Sequence, residues 1–298
     1  MNSRALFIFG FCCLIGFSLQ AQSLLEEVEE GLEESKTYTQ ATFKTTVLAL
    51  GQSVQVRKEG SMEFSWNSRF WNLPQRTQGF VADRMSSRFG LNYAFSDRFT
   101  AGFGITTFDR YKDGYFKYQI ARQGVQGKGW PFTVTLFQNA GLRRSENQSV
   151  YIGDSFSEKL SFTSQMLIAR KFTRNFSMQL SPTFIFRNKS SAPVDPAQHF
   201  ALGVGGRYRV GGHVSITLEW YYLSNPLNSI QTYDSFALGV NWELTDLMLQ
   251  FILTNTPFMA EDGYITQTRN NFNTRDGNLY FGFNATLVLH LKKQKPKQ

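Results

Sequence analysis

Cysteine is almost missing from this chain, and the two it has, Cys12 and Cys13, both lie in the apolar run ALFIFGFCCLIGFSL near the N-terminus. Arg4 precedes that run and Gln20 and Ala21 follow it, which is the layout of a secretory signal over residues 1–21, removed on export. The run of about fourteen apolar residues is short for an anchor helix, and the bulky Phe11 before Cys12 does not suit a lipidation site. A mature chain without thiols excludes disulfides, thiolate metal sites and a cysteine nucleophile together. Histidine is also scarce, at three residues, and no grouping has metal-ligand spacing. Beyond the signal there is no stretch approaching the roughly eighteen apolar residues of a membrane helix. Any membrane crossing must therefore be made by strands.

Aromatic residues are plentiful, with Phe 29, Tyr 12 and Trp 5, while mean hydropathy stays negative at -0.29. Both fit a transmembrane barrel, which carries aromatic girdles outside and polar residues inside. From Ser61 onward the sequence alternates. Met62, Phe64, Trp66 and Phe70 fall on one face, and Glu63, Ser65, Asn67 and Arg69 on the other. The rhythm returns in Phe89, Leu91, Tyr93 and Phe95, in Phe99 to Ile105, in Phe116 to Ile120, in Phe132 to Leu136, and in Phe176 to Phe186. It continues through Phe200 to Tyr208, Val214 to Tyr222, Phe236 to Trp242, Leu247 to Leu253 and Leu279 to Leu289. KLSFTSQMLIAR is less regular, with Leu167 turned inward against its neighbours. The pattern predicts an all-β fold, an antiparallel up-and-down transmembrane barrel of about twelve strands over residues 61–291. A soluble barrel would reverse the faces.

The connections support this reading. Long ones (Trp71–Ser86, Arg143–Glu158, Asn188–Gln198, Asn255–Gly277) alternate with tight ones (Ser96–Arg98, Lys171–Arg174, Gly211–Gly212, Thr245–Asp246), as extracellular loops alternate with periplasmic turns. Residues 22–60 are expected to form an acidic periplasmic segment and a poorly periodic lead-in. SLLEEVEEGLEESK sets Leu24, Leu25, Val28 and Leu32 among six glutamates. It reads as a solvated terminus or as a plug or periplasmic contact. A basic tail, 292–298, keeps the chain end solvated. The precursor charge of +8 falls to +7 when Arg4 leaves with the signal. The expected surroundings are outer-membrane lipid; nucleic acid is a poor partner for an exported chain, and the sequence names no protein partner.

Inward positions hold Glu63, Arg69, Arg88, Lys117, Arg187, Arg207, Arg209, Glu219 and Glu243, with Asn67, Asn92, Asn241 and Asn284 among them. A lumen of about twelve strands lies between a side-chain-filled barrel and an open porin. The nine either cross-link the interior or make a basic constriction of Arg69, Arg187, Arg207 and Arg209 that favours anions. Three functions follow: a passive, porin-like channel for a small polar or anionic solute, a structural or partner-binding barrel acting through extracellular loops such as Asn255–Gly277, and a lipid-modifying enzyme. The last would need Ser190, Asp195 and His199 to assemble, and the expectation is that the chain is not an enzyme. Gly203, Gly205 and Gly206 are strand glycines without a following helix, so no nucleotide site and no cofactor are expected.

GLNYAFSDRFTAGFGI, KYQIARQ before Pro131, QMLIARKFTRNFSMQLSPTFIFRN, FALGVGGRYRV with LEWYY, and ILTNTPFM with FGFNATLVL together carry a likeness over nearly all of the mature chain. By these phrases the chain resembles a family of uncharacterised outer-membrane β-barrel proteins of Gram-negative bacteria, a domain of unknown function. The resemblance implies a barrel and no known substrate. Relatives often carry histidines where this chain reads SRF, IFRN and LTDLML, so any role of those histidines is implied to be lost here.

Overall fold

The computed structural model describes residues 38–39, 41–71, 83–125, 129–143, 155–190, 192–272 and 279–291. The signal at 1–21, the acidic stretch at 22–37 and the tail at 292–298 lie outside them. Twelve antiparallel strands close into one barrel, each paired with its sequence neighbours and β1 with β12. They are β1 (Ser61–Trp71), β2 (Arg84–Ser96), β3 (Phe99–Thr106), β4 (Lys112–Ala121), β5 (Thr133–Leu142), β6 (Leu160–Lys171), β7 (Phe176–Arg187), β8 (Gln198–Arg209), β9 (Val214–Leu223), β10 (Ser235–Glu243), β11 (Leu247–Thr254) and β12 (Tyr280–His290). One short helix, α1 (Glu261–Thr266), interrupts the last connection. None of the helices among the described residues could cross a membrane.

Closure runs from Ser61↔His290 to Phe70↔Phe281, so the first and last strands leave no free edge. The faces divide as the alternation requires. Phe64, Trp66, Leu218 and Trp220 are 41–48% exposed on the outer face, whereas Glu63, Arg69 and Glu219 are each 1% exposed. Outward aromatics pair across strands, as in Trp66 against Phe283 at 6.0 Å and Phe251 against Phe283 at 5.5 Å. Bulges shift the register at Ala94/Ser96 and Gln119/Ala121, both at the ends where the short turns lie. That end is taken as periplasmic, since such barrels have short periplasmic turns.

The interior is less polar than the alternation suggested. Phe137, Leu167, Ala169, Ile185 and Tyr221 point inward and are buried. They have something to pack against: two segments of the chain enter the barrel. Phe43, Leu48 and Val54 join Phe137, Leu167 and Ala169 in one cluster, and Phe258, Tyr264 and Ile265 join Ile185, Tyr221 and Ile252 in another.

Candidate functional site

The first inserted segment is residues 41–57. Both of its legs reach the periplasmic end, where the Thr39 N–H donates to the Gln123 carbonyl at 2.7 Å and the Gly60 N–H to that of Ala94 at 2.9 Å. Between them the chain folds back on itself, with a Val47↔Gln52 bridge and an N–H from Leu48 to the Gly51 carbonyl at 2.8 Å. The result is a hairpin standing in the lumen. Its tip presents three successive N–H groups to one carboxylate: Glu219 accepts from Ala49 at 2.7 Å, Leu50 at 2.5 Å and Gly51 at 3.2 Å. Such a nest of amides suits an anion. Gly51 is required by space, because a Cβ there would lie 1.8 Å from the Tyr221 hydroxyl. On the facing wall, a Cβ at Gly205 would lie 2.7 Å from Leu48, which explains a glycine in mid-strand.

Wall side chains satisfy the hairpin's remaining backbone groups, as burial demands. Gln179 donates to the Gln52 carbonyl at 2.7 Å and accepts from the Val54 N–H at 2.8 Å. Gln250 donates to Leu48, Thr135 and Gln119 donate to Val54, and Lys117 donates to Thr46 and Gln55. Glu63 accepts from the Thr46 hydroxyl and from Arg57, both at 2.5 Å.

The second insertion comes from the opposite end. Asn255 to Thr268, including all of α1, are buried apart from the half-buried Pro257. This corrects the expectation that Asn255–Gly277 is presented at the surface for residues 255–268, which form a lid folded into the barrel, while Arg269 and Phe272 are exposed. Asp262 anchors it, accepting from Arg187 at 2.6 and 2.9 Å and facing Arg143 Nε at 3.4 Å, while Arg187 also donates to the Thr266 hydroxyl. Tyr264 packs on Tyr221 at 5.1 Å, and Gln52 donates to Glu261 at 3.1 Å, joining lid to hairpin. A cavity bounded by Gln52, Arg88, Tyr115, Met259 and Glu261 holds about 30 Å³, room for about one or two waters and not for a solute.

The lid's carboxylates are tuned in opposite senses. Burial would raise Asp262, but Arg187 and Arg143 outweigh it and hold the group below the ordinary carboxylate range. Burial raises Glu261, and Asp113 adds to the rise against Arg88. Burial and the adjacent Arg187 bring Arg143 down to about 10 despite Asp262. Glu261 has its pKa raised by folding, so its contribution is complete below its ordinary value of 4.5 and is lost as pH climbs through the raised value. Asp262 behaves oppositely: its contribution is present above 3.8 and fades as pH falls through its depressed value. The two windows do not overlap. The heat-unfolding midpoint in detergent is therefore expected to decline as pH rises above about 4.5, and Glu261→Gln to flatten that decline. An unchanged slope in the variant would assign the titration elsewhere.

Each of the nine charged positions can now be placed. Glu63, Arg69, Lys117 and Glu219 touch the hairpin, with Arg69 donating to Asn284 at 2.9 Å and to the Ala49 carbonyl at 3.4 Å. Arg88 and Asp113 form a wall-to-wall pair at 2.6 Å, as do Arg207 and Glu243 at 2.6 Å. Arg187 holds the lid. Arg209 is only half-buried, donating to the Gly211 and Gly212 carbonyls at the periplasmic turn. The four arginines of the alternative reading, a basic constriction, do not share a level: Arg69 and Arg187 lie toward the lid, and Arg207 and Arg209 at the other end of β8. Ser190, Asp195 and His199 do not assemble into a hydrolytic set. Asp195 accepts from Asn228 and Ser229, and His199 faces the Asn225 carbonyl and Arg187. Among the described residues no His, Cys, Asp and Glu grouping could hold a metal.

Residues 43–289 match the model of the family described as "Membrane bound beta barrel domain (DUF5777)". No curated protein matches. Among solved structures the chain is similar to the NanC porin (10% identity, TM-score 0.47, covering 78% of this chain and 100% of that one). It is also similar to the KdgM porin in complex with disordered oligogalacturonate (10% identity, TM-score 0.46, 77% and 99% covered). A third likeness is to outer membrane phospholipase A from Escherichia coli (11% identity, TM-score 0.43, 76% and 92% covered). At these identities and scores the likenesses bear on neither cargo nor activity.

Proposed function

This chain belongs to the family of membrane bound beta barrel domains, and from that premise we propose that it is a gated outer-membrane conduit for small polar or anionic solutes, closed here by its own N-terminal hairpin. The observation that carries the reading is the chemistry of the hairpin's contacts. Its backbone is held by carboxylate, amide, hydroxyl and ammonium groups of the wall: Glu219, Gln179, Gln250, Gln119, Thr135 and Lys117. Water can replace each of these partners at small net cost, since a hydrogen bond exchanged with solvent is worth only about 0.5–1.5 kcal/mol. A purely structural filling of the lumen would be served as well by an apolar core. With the hairpin out, Arg69 and Lys117 lose backbone partners and face the path, where their charge favours anions.

Planar-bilayer recordings of the intact chain and of Glu219→Gln test this. The substitution keeps the shape and removes the charge that the tip amides surround, which is worth about 1.5 kcal/mol or more for bonds to a charged group. Brief openings are expected to become at least about tenfold more frequent, with anions carrying most of the current. Silence from both proteins, and from a barrel lacking the hairpin, would leave a closed scaffold instead of a conduit.

A further inference from the structure

The two legs of the hairpin separate at the periplasmic mouth and leave a cavity of about 270 Å³ between themselves and the barrel wall. Tyr38, Lys44, Arg57 and Lys58 line it from the legs, and Asp97 and Arg122 from the turn after β2 and the end of β4. Four of these six side chains are cationic and one is anionic. Arg57 is matched by the buried Glu63 behind it, at 2.5 Å. Lys44 is exposed and its ammonium has no hydrogen-bond or ion-pair partner among the described residues. Arg122 is fixed in place: its Nε donates to Gln119 at 2.5 Å, its Nη2 to the Asp97 carbonyl, and its guanidinium stacks over Tyr38 at 4.7 Å. A planar donor so held is prepared for a carboxylate or phosphate oxygen, and Lys44 supplies a mobile point charge.

We propose that this vestibule is a binding site for a small free dianion, a dicarboxylate or phosphate monoester, held between Arg122 on the wall and Lys44 on the hairpin. Its volume is just below the range of small-molecule pockets, about 300–1,000 Å³, which fits a ligand of metabolite size and excludes a polymer. Because one wall is hairpin and the other barrel, a ligand bound here ties the two together and favours the closed arrangement. The site does not depend on the conduit reading, since binding is expected even if the lumen never opens.

Calorimetric titration of the intact exported chain in detergent, with succinate and with glycerol 3-phosphate as probes, tests it. Saturable one-to-one binding of at least one probe is expected. Affinity should fall at least about tenfold in Lys44→Gln combined with Arg122→Gln, and stay unchanged in Lys112→Gln at the opposite end of the barrel. If the double variant does not fold, Lys44→Gln alone carries the test and is expected to weaken binding. No saturable binding of either probe, or equal binding in the variants, overturns the site. Binding that appears only when residues 22–37 are deleted overturns it too, because the occupant would then be the chain's own glutamate-rich segment.

Discussion

Deleting residues 41–57 is expected to turn a barrel that rests closed into one that conducts, raising ion flux into liposomes by at least about a hundredfold, as an unblocked lumen of intermediate width should. The barrel itself should survive the deletion. All twelve ladders are wall-to-wall, and the pairs Arg88–Asp113 and Arg207–Glu243 involve no hairpin atom. What changes is the fate of Glu219, Lys117, Gln179 and Gln250, whose hairpin partners are replaced by water. Phe137 and Leu167 lose Phe43, Leu48 and Val54 and become wetted, which costs stability at about 25 cal/mol per Å² of apolar surface without unfolding a closed sheet. The lid also loses its floor, since Gln52 no longer reaches Glu261. Retention of the closed state after deletion, with the barrel still folded by its heat-resistant migration, would remove the hairpin as the gate and count for a closed scaffold.

The wall was readable from the sequence because its code is local: a residue's face is set by the parity of its position, and Phe64 and Glu63 declare it side by side. The same parity reaches Asp113, which stands four residues before Lys117 and pairs with Arg88, but the outward positions of β4 are apolar only from Phe116 onward, Lys112 and Gly114 preceding it. The hairpin had no such signature. ATFKTTVLALGQSVQV mixes threonine, glutamine, valine and leucine because every side of it faces a partly polar wall, and its partners are distant in the chain, 202 positions for Gln250 and Leu48 and 169 for Glu219 and Leu50. Inward apolar residues were the one available hint. Leu167 broke the rhythm of β6, and an apolar residue inside a polar lumen implies something apolar against it. The loop after β11 looked like a surface loop by length and by its carboxylates, yet Glu261 and Asp262 are acidic because the interior they enter carries Arg88, Arg143 and Arg187.

Asp262→Ala is expected to release the lid. Arg187 and Arg143 converge on this one carboxylate, and removal leaves the Arg187 guanidinium, 0% exposed, without the charge it donates to. Breaking a buried pair in this way costs about 3–5 kcal/mol, because the remaining charge keeps its desolvation penalty. The second arginine adds repulsion to that. The cheapest relief is for α1 to leave the lumen, since water can then reach both arginines while the strands stay paired. Limited proteolysis from the extracellular side is the measurement: cleavage within the buried stretch 255–268 should be slow in the intact protein and at least about a hundredfold faster in the variant, the factor that 3 kcal/mol implies. Asp262→Asn separates charge from shape, because its amide oxygen still accepts from Arg187 but brings no negative charge, and it should fall between the two. Replacing Arg187 by Met together with Asp262→Ala removes one uncompensated cation and should restore part of the protection. If the double variant is cleaved as fast as the single one, the lid is held by the Tyr264–Tyr221 contact and its apolar neighbours, and the ion pair only orients it.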